Sequence, residues 1–214
     1  MKKRYIACIA LLVSGFAFGQ QNCDYLVAYN SITATGEELT GYKTVGGEII
    51  IPATYYHVYT DTLHTIAFVA KDGGIFAIDK KGNTLFETFI FDNGPDYVSE
   101  GLFRFIENDK MGFASMDGEK VIPAVFDFVG GFGDGVEEYK EEGISTYVMG
   151  GYRQYTPSGE YWTWAGGYER GYINHAGQRF AKVGKLKNNR RKAMTTNGKY
   201  VILNRQGEIV KKRD

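Results

Sequence analysis

Chemistry near neutral pH would fall first to histidine, and this chain has three: His57, His64 and His175. General acid–base work needs such a side chain within reach of a nucleophile or a carboxylate, and a metal needs several ligands converging. His57 and His64 are seven residues apart, on opposite faces if one strand covers both. Cys8 lies in an apolar N-terminal run, leaving Cys23 with no second cysteine for a zinc site. The oxygen-rich stretches Asp79-Lys80-Lys81-Gly82 and Asp92-Asn93-Gly94-Pro95-Asp96 have the density calcium needs, but neither follows the EF-hand spacing. Asp and Asn also favour turns for purely local reasons, and turns are the reading adopted. Glu137-Glu138 and Glu141-Glu142 could form half of a glycosidase pair, yet no partner carboxylate is indicated and charge runs are usually solvated. The chain is expected to be no enzyme, with no metal and no cofactor.

Binding is better served than catalysis. Trp162 and Trp164, the only tryptophans, fall two apart and so share one face of a strand, with Tyr155 and Tyr161 close by. Exposed, they could stack on sugar rings; buried, they would anchor the segment to a sheet. A second candidate is electrostatic. From Gln20 to Ala181 there are 23 Asp and Glu against 11 Lys and Arg, whereas the stretch from Lys182 onward has 11 basic and two acidic side chains. The balance of zero thus hides a basic end in which Arg190, Arg191 and Lys192 could meet an anionic surface, by summed charge and with strong salt dependence.

Location narrows the partners. Lys2-Lys3-Arg4, the apolar Ile6 to Phe18 and the small residues near Gly19 read as a signal peptide over residues 1–19, too short to span a bilayer. Residues 20–214 are then expected to form one exported domain, periplasmic or extracellular, or peripheral at the outer membrane, with no transmembrane segment. Lipid attachment at Cys23 is the rival, but Gln20-Gln21-Asn22 lacks the small apolar character of such a signal. Nucleic acid is not expected as a partner of an exported chain. With one cysteine left, no internal disulfide can hold the domain, so burial must.

The elements that would position these side chains come from repetition. Gly41-Tyr42-Lys43-Thr44-Val45-Gly46-Gly47 leads into Glu48-Ile49-Ile50-Ile51-Pro52, and Gly112-Phe113-Ala114-Ser115-Met116-Asp117-Gly118 leads into Glu119-Lys120-Val121-Ile122-Pro123. Weaker copies begin at Gly74, Gly171 and Lys199. Each copy reads as a β-hairpin with a glycine turn plus a further extended segment, about three strands in all. The copies at Gly74 and Lys199 place the second glycine eight residues on rather than six, read as a hairpin longer by two with its apolar face preserved. Proline is expected to close the second strand. Acidic-glycine turns at Ser99-Glu100-Gly101 and Gly133-Asp134-Gly135 should open further strands. First glycines at 41, 74, 112 and 171 give steps of 33, 38 and 59, so an insertion of about twenty residues, placed at 144–167, interrupts the series as an extra aromatic hairpin. The expected fold is all-β: antiparallel hairpin repeats of about 30–38 residues, open and solenoid-like or closed like a propeller. No helix is expected beyond the signal peptide.

The pattern Gly-aromatic-Ile-Asp/Asn-x-x-Gly-x-Val-Ile-Pro-x-x-aromatic-Asp resembles the WG-containing repeat, a short β-rich bacterial repeat. The position of its tryptophan holds Thr40, Gly73, Met111 and Arg170 here. The resemblance implies an interaction scaffold without catalytic residues. The expected function is therefore a non-enzymatic scaffold that binds a protein or envelope polymer; the alternative is a carbohydrate-binding module built on the aromatic insertion.

Overall fold

One turn organises the strand pairing. At Thr44–Glu48, Asp79–Asn83, Ser115–Glu119, Asn174–Gln178 and Asn204–Glu208, the first residue donates its N–H to the carbonyl of the fifth, and the fourth donates back to the first. That fourth residue is always glycine, with φ between 73° and 94° at Gly47, Gly82, Gly118, Gly177 and Gly207. This is a three-residue hairpin loop ending in a left-handed glycine, a conformation a Cβ disfavours. In four of the five the opening Thr, Asp or Asn side chain also accepts the N–H of the fifth residue, which explains the short polar residue there.

The computed structural model describes residues 24–133, 142–155 and 162–212, with the backbone alone at 153–155 and 162–164. The signal peptide of residues 1–19, Cys23, Tyr161 and most of the strand expected after Gly133 lie outside the described residues. Within them the regular structure is all β, paired antiparallel, and no helix is long and apolar enough to cross a membrane.

β1 (Leu26–Ile32), β2 (Glu38–Thr44) and β3 (Ile49–Tyr55) make a first three-stranded meander, followed by the short β4 (His57–Val58) and β5 (Thr62–Leu63). β6 (Ile66–Lys71), β7 (Gly74–Asp79) and β8 (Thr84–Thr88) make a second, followed by a small hairpin of β9 (Ile90–Phe91) and β10 (Gly94–Pro95). The third is β11 (Leu102–Glu107), β12 (Lys110–Ser115) and β13 (Lys120–Phe126), continued by β14 (Phe128–Val129). β15 (Ile144–Tyr155), β16 (Trp162–Asn174) and β17 (Arg179–Val183) form the fourth; β18 (Arg190–Thr195), β19 (Tyr200–Asn204) and β20 (Ile209–Lys212) form the fifth. The last strand of each meander, or its continuation past one residue, pairs with the first strand of the next: β4 with β6, β8 with β11, β14 with β15, β17 with β18.

Burial follows the same succession. One apolar cluster joins Tyr42, Ile51 and Tyr55 of the first meander to Val69 and Ile78 of the second. Another joins Phe68 and Phe86 to Phe103 and Phe105, a third joins Phe113 and Phe126 to Tyr147 and Ile173, and a fourth joins Ile144 and Phe180 to Val201 and Leu203. The turn glycines seal these junctions. A Cβ on Gly82 would lie 3.2 Å from Ile51, one on Gly118 3.0 Å from both Ile66 and Leu85, and one on Gly207 3.0 Å from Ile144. At Gly82, Gly118 and Gly207 the second glycine therefore does two jobs: it permits the turn and lets the turn rest on the preceding meander.

Three sequence expectations change. Aligned on these turns, the residue matching Gly41, Gly112 and Gly171 is Phe76 in the second meander and Val201 in the fifth, so Gly74 and Lys199 are not copies of the first glycine and no two-residue insertion exists. Proline does not end its strand: Pro52 and Pro123 lie inside β3 and β13, the terminal strands of their sheets. They sit in a wide bulge, where Ile51 and Tyr55 pair with Tyr42 and Thr40, and Ile122 and Phe126 with Phe113 and Met111. Lifted off the ladder, proline needs no N–H there. The bulge brings the carbonyls of Ile51 and Ile122 within 2.4 Å of where a Cβ on Gly41 or Gly112 would stand, which ties the first glycine to the Ile-Pro segment. Lastly, the described residues 144–155 and 162–167 are not an additional hairpin; they belong to the first two strands of the fourth meander, grown to 12 and 13 residues.

Candidate functional site

Alternation along β18 decides the fate of the basic run. Arg190 and Lys192 are exposed, while Arg191 between them is buried at 2 % exposure with Ala193 on the core side. The Arg191 guanidinium donates to the carbonyls of Glu142 (3.0 Å) and Arg205 (3.4 Å), bonding the fifth meander to the start of the fourth. Of the three residues expected to meet an anionic surface, two face outward and Arg191 serves the interior instead.

Across the sheet from Lys192 come Ile202 on β19 and then Lys211 on β20, on the same face by register. The tight turn at Asn188-Asn189, with φ of 49° and 59°, folds Lys187 back against Arg190 through two backbone hydrogen bonds of 2.8 and 3.0 Å. A cleft of about 690 Å³ results, with Lys185, Lys187, Arg190, Lys192 and Lys211 around Ile202, and no carboxylate of the described residues lines it. Several cations elsewhere do have carboxylate partners: Lys80 with Asp24, Lys120 with Glu107, Arg179 with Glu169, Arg205 with Glu142. Lys187, Arg190, Lys192 and Lys211 make no ion pair among the described residues. The sequence showed the charge excess; convergence of positions as distant as 185 and 211 comes from the register.

The aromatic candidates lie on a ribbon. β15 meets β14 only at Tyr147 and Val148, and β16 meets β17 only at Tyr172 and Ile173, so beyond Met149 and Glu169 the two strands pair with each other alone. Tyr155 is opposite Trp162 and Arg153 opposite Trp164. Two tyrosines not singled out in the sequence, Tyr152 and Tyr168, are 61 % and 79 % exposed, their rings against Gly166 and Gly150. The ribbon is tied down at its base by Asp127, whose carboxylate takes an ion pair from Lys110 and hydrogen bonds from the N–H groups of Gly150 and Gly151. Burial pushes that carboxyl upward, but these donors outweigh it and leave the pKa below the ordinary carboxylate value.

Several other polar groups pair within the fold. Asp96 and Arg104 form a buried pair, 2.5 Å apart, in which Asp96 also accepts the Arg104 backbone N–H at 2.7 Å; the guanidinium stacks 4.4 Å from the Phe89 ring centre. Nothing in the local sequence marked this pair. Asp79 spends its carboxylate on the N–H groups of Lys81 and Asn83, as a turn residue does. His57 and His64 are not on one strand; His57 packs edge-on to Tyr59, and His64 packs against Tyr25. His175 stacks on Phe132 and lies 3.0 Å from the Glu100 carboxylate. Among the described residues no three His, Cys, Asp or Glu side chains are grouped as metal ligands.

No family model matches the chain, and no curated protein sequence matches it.

Proposed function

We propose that this protein is an exported, non-enzymatic β-repeat scaffold that holds an anionic protein or envelope polymer at its C-terminal basic face. The observation that carries the reading is the convergence on one cleft of Lys187, Arg190, Lys192 and Lys211, none of which makes an ion pair among the described residues. An electrostatic site left uncompensated in the free protein attracts its counter-charge over a Debye length of about 8 Å at physiological salt. The five meanders are repeat units of the WG-like kind in an open array; supporting this, each apolar cluster spans consecutive meanders, as nearest-neighbour stacking requires. The test is retention on immobilised dextran sulfate against neutral dextran. Retention lost with rising salt supports the reading, and equal passage through both columns at low salt sinks it.

A second reading rests on the ribbon: a carbohydrate-binding surface of Tyr155, Tyr161, Trp162 and Trp164, favoured by the exposure of Tyr152 and Tyr168 on the same ribbon. Tryptophan emission that is unmoved by polysaccharides would remove it.

A further inference from the structure

We propose that the cleft over Ile202 is a site for clustered phosphate groups on a small sugar or polyol frame. The inference rests on the anionic reading of this face and specifies its ligand. Lys192 and Lys211 flank Ile202 at two strand spacings, roughly 10 Å between backbones, and Arg190 lies two residues along β18, roughly 7 Å away. The turn that bonds Lys187 to Arg190 forms another side. Lys187, Arg190, Lys192 and Lys211, without an ion pair among the described residues, thus share about 690 Å³ with Lys185, ample for a sugar carrying several phosphates.

Charge density selects the chemistry. A carboxylate polymer brings one charge per monomer along an extended chain, so only a few of its charges can enter such a volume. A phosphomonoester carries about 1.5 to 2 negative charges with three acceptor oxygens, so two or three balance the four cations that make no ion pair among the described residues. The guanidinium of Arg190 suits a pair of phosphate oxygens, and the ammonium groups act as point charges from any direction. Ile202 and the aliphatic lysine stems offer an apolar floor for the carbon frame. Glu208, the one acid described on the fifth meander, is held by the Asn204 amide at 2.7 Å and lies outside the cleft lining.

The experiment uses the full chain and calorimetric titration at fixed ionic strength, with inorganic tripolyphosphate as probe and citrate as its compact carboxylate counterpart. Tripolyphosphate is expected to bind at least tenfold more tightly than citrate and to raise the melting temperature. The variant Lys187→Gln/Lys192→Gln/Lys211→Gln should lose tenfold or more of that affinity, while Lys43→Gln/Lys71→Gln/Lys81→Gln, remote from the cleft, should keep it. Because the cleft variant relieves repulsion, its unliganded melting temperature should not fall. Glucose 1,6-bisphosphate in solution and vesicles containing phosphatidic acid then distinguish a soluble from a lipid-borne source. Equal affinity for citrate and tripolyphosphate overturns the phosphate inference while leaving the anionic reading standing; no binding of either, or binding unchanged in the cleft variant, overturns both.

Discussion

Replacing Gly118 by alanine separates the two jobs assigned to the turn glycines. Gly118 has φ of +83°, and an alanine Cβ would be 3.0 Å from Ile66 Cγ2 and Leu85 Cδ1 on the preceding meander. Gly47 occupies the same place in the first meander, with φ of +94° and nothing within 4 Å of its Cβ position. Both turns have the same backbone hydrogen bonds, of 2.9 and 3.0 Å at Gly118 and 2.8 and 2.9 Å at Gly47. A left-handed backbone costs an L residue about 1–2 kcal/mol, so Gly47→Ala should lose that much and little more. Gly118→Ala adds overpacking against the buried Ile66 and the partly buried Leu85, about 1–3 kcal/mol further. For a chain of this size each kcal/mol moves the melting temperature by about 2–4 °C, so the two variants should differ by several degrees. Urea unfolding followed by far-ultraviolet circular dichroism measures the difference. Equal losses, within about 0.5 kcal/mol, would refute the claim that the turn seals one meander against the next.

Asp127→Asn should destabilise by about 1–3 kcal/mol, because the part-buried N–H groups of Gly150 and Gly151 lose a charged acceptor and Lys110 its partner. Since the folded pKa of Asp127 lies below the ordinary value near 3.8, its contribution is whole above that pH and fades as pH falls through the folded pKa; acid unfolding of the variant should therefore be less steep there. Arg104→Ala strands the Asp96 carboxylate in the interior and should cost about 3–5 kcal/mol, whereas Arg104→Met with Asp96→Leu should cost less than the sum of the single changes in a double-mutant cycle. Burial, reinforced by the hydrogen bond to Glu169, raises the Tyr147 pKa, so this phenol should stay protonated beyond the pH where exposed tyrosines ionise near 10. Its contribution to stability is whole below the unfolded pKa and is lost at higher pH; ultraviolet titration of the wild type and Tyr147→Phe should show one late-ionising tyrosine disappear.

The fold was legible where it depends on neighbours in sequence. Asp117-Gly118 and its counterparts announce hairpins because only glycine relaxes at positive φ, and alternating apolar residues announce two-faced strands because side chains repeat every second residue. The same alternation placed Arg191 on the face opposite Arg190 and Lys192, a signal that a count of charges overlooks. The long hairpin of the fourth meander was legible as an interruption, though not as a lengthening of strands already in the series.

Pairing across distance was not legible. That Pro52 occupies a bulge rather than a strand end depends on where Tyr55 finds Thr40, and that Asp96 meets Arg104 depends on a hairpin folding back over Phe89. Local backbone preference and period-two patterning thus settled the turns, the all-β class and the basic excess after Lys182. Only the three-dimensional pairing settled which glycines press on a neighbour, which arginine is buried and which lysines converge, because those depend on register between strands that the chain brings together from far apart.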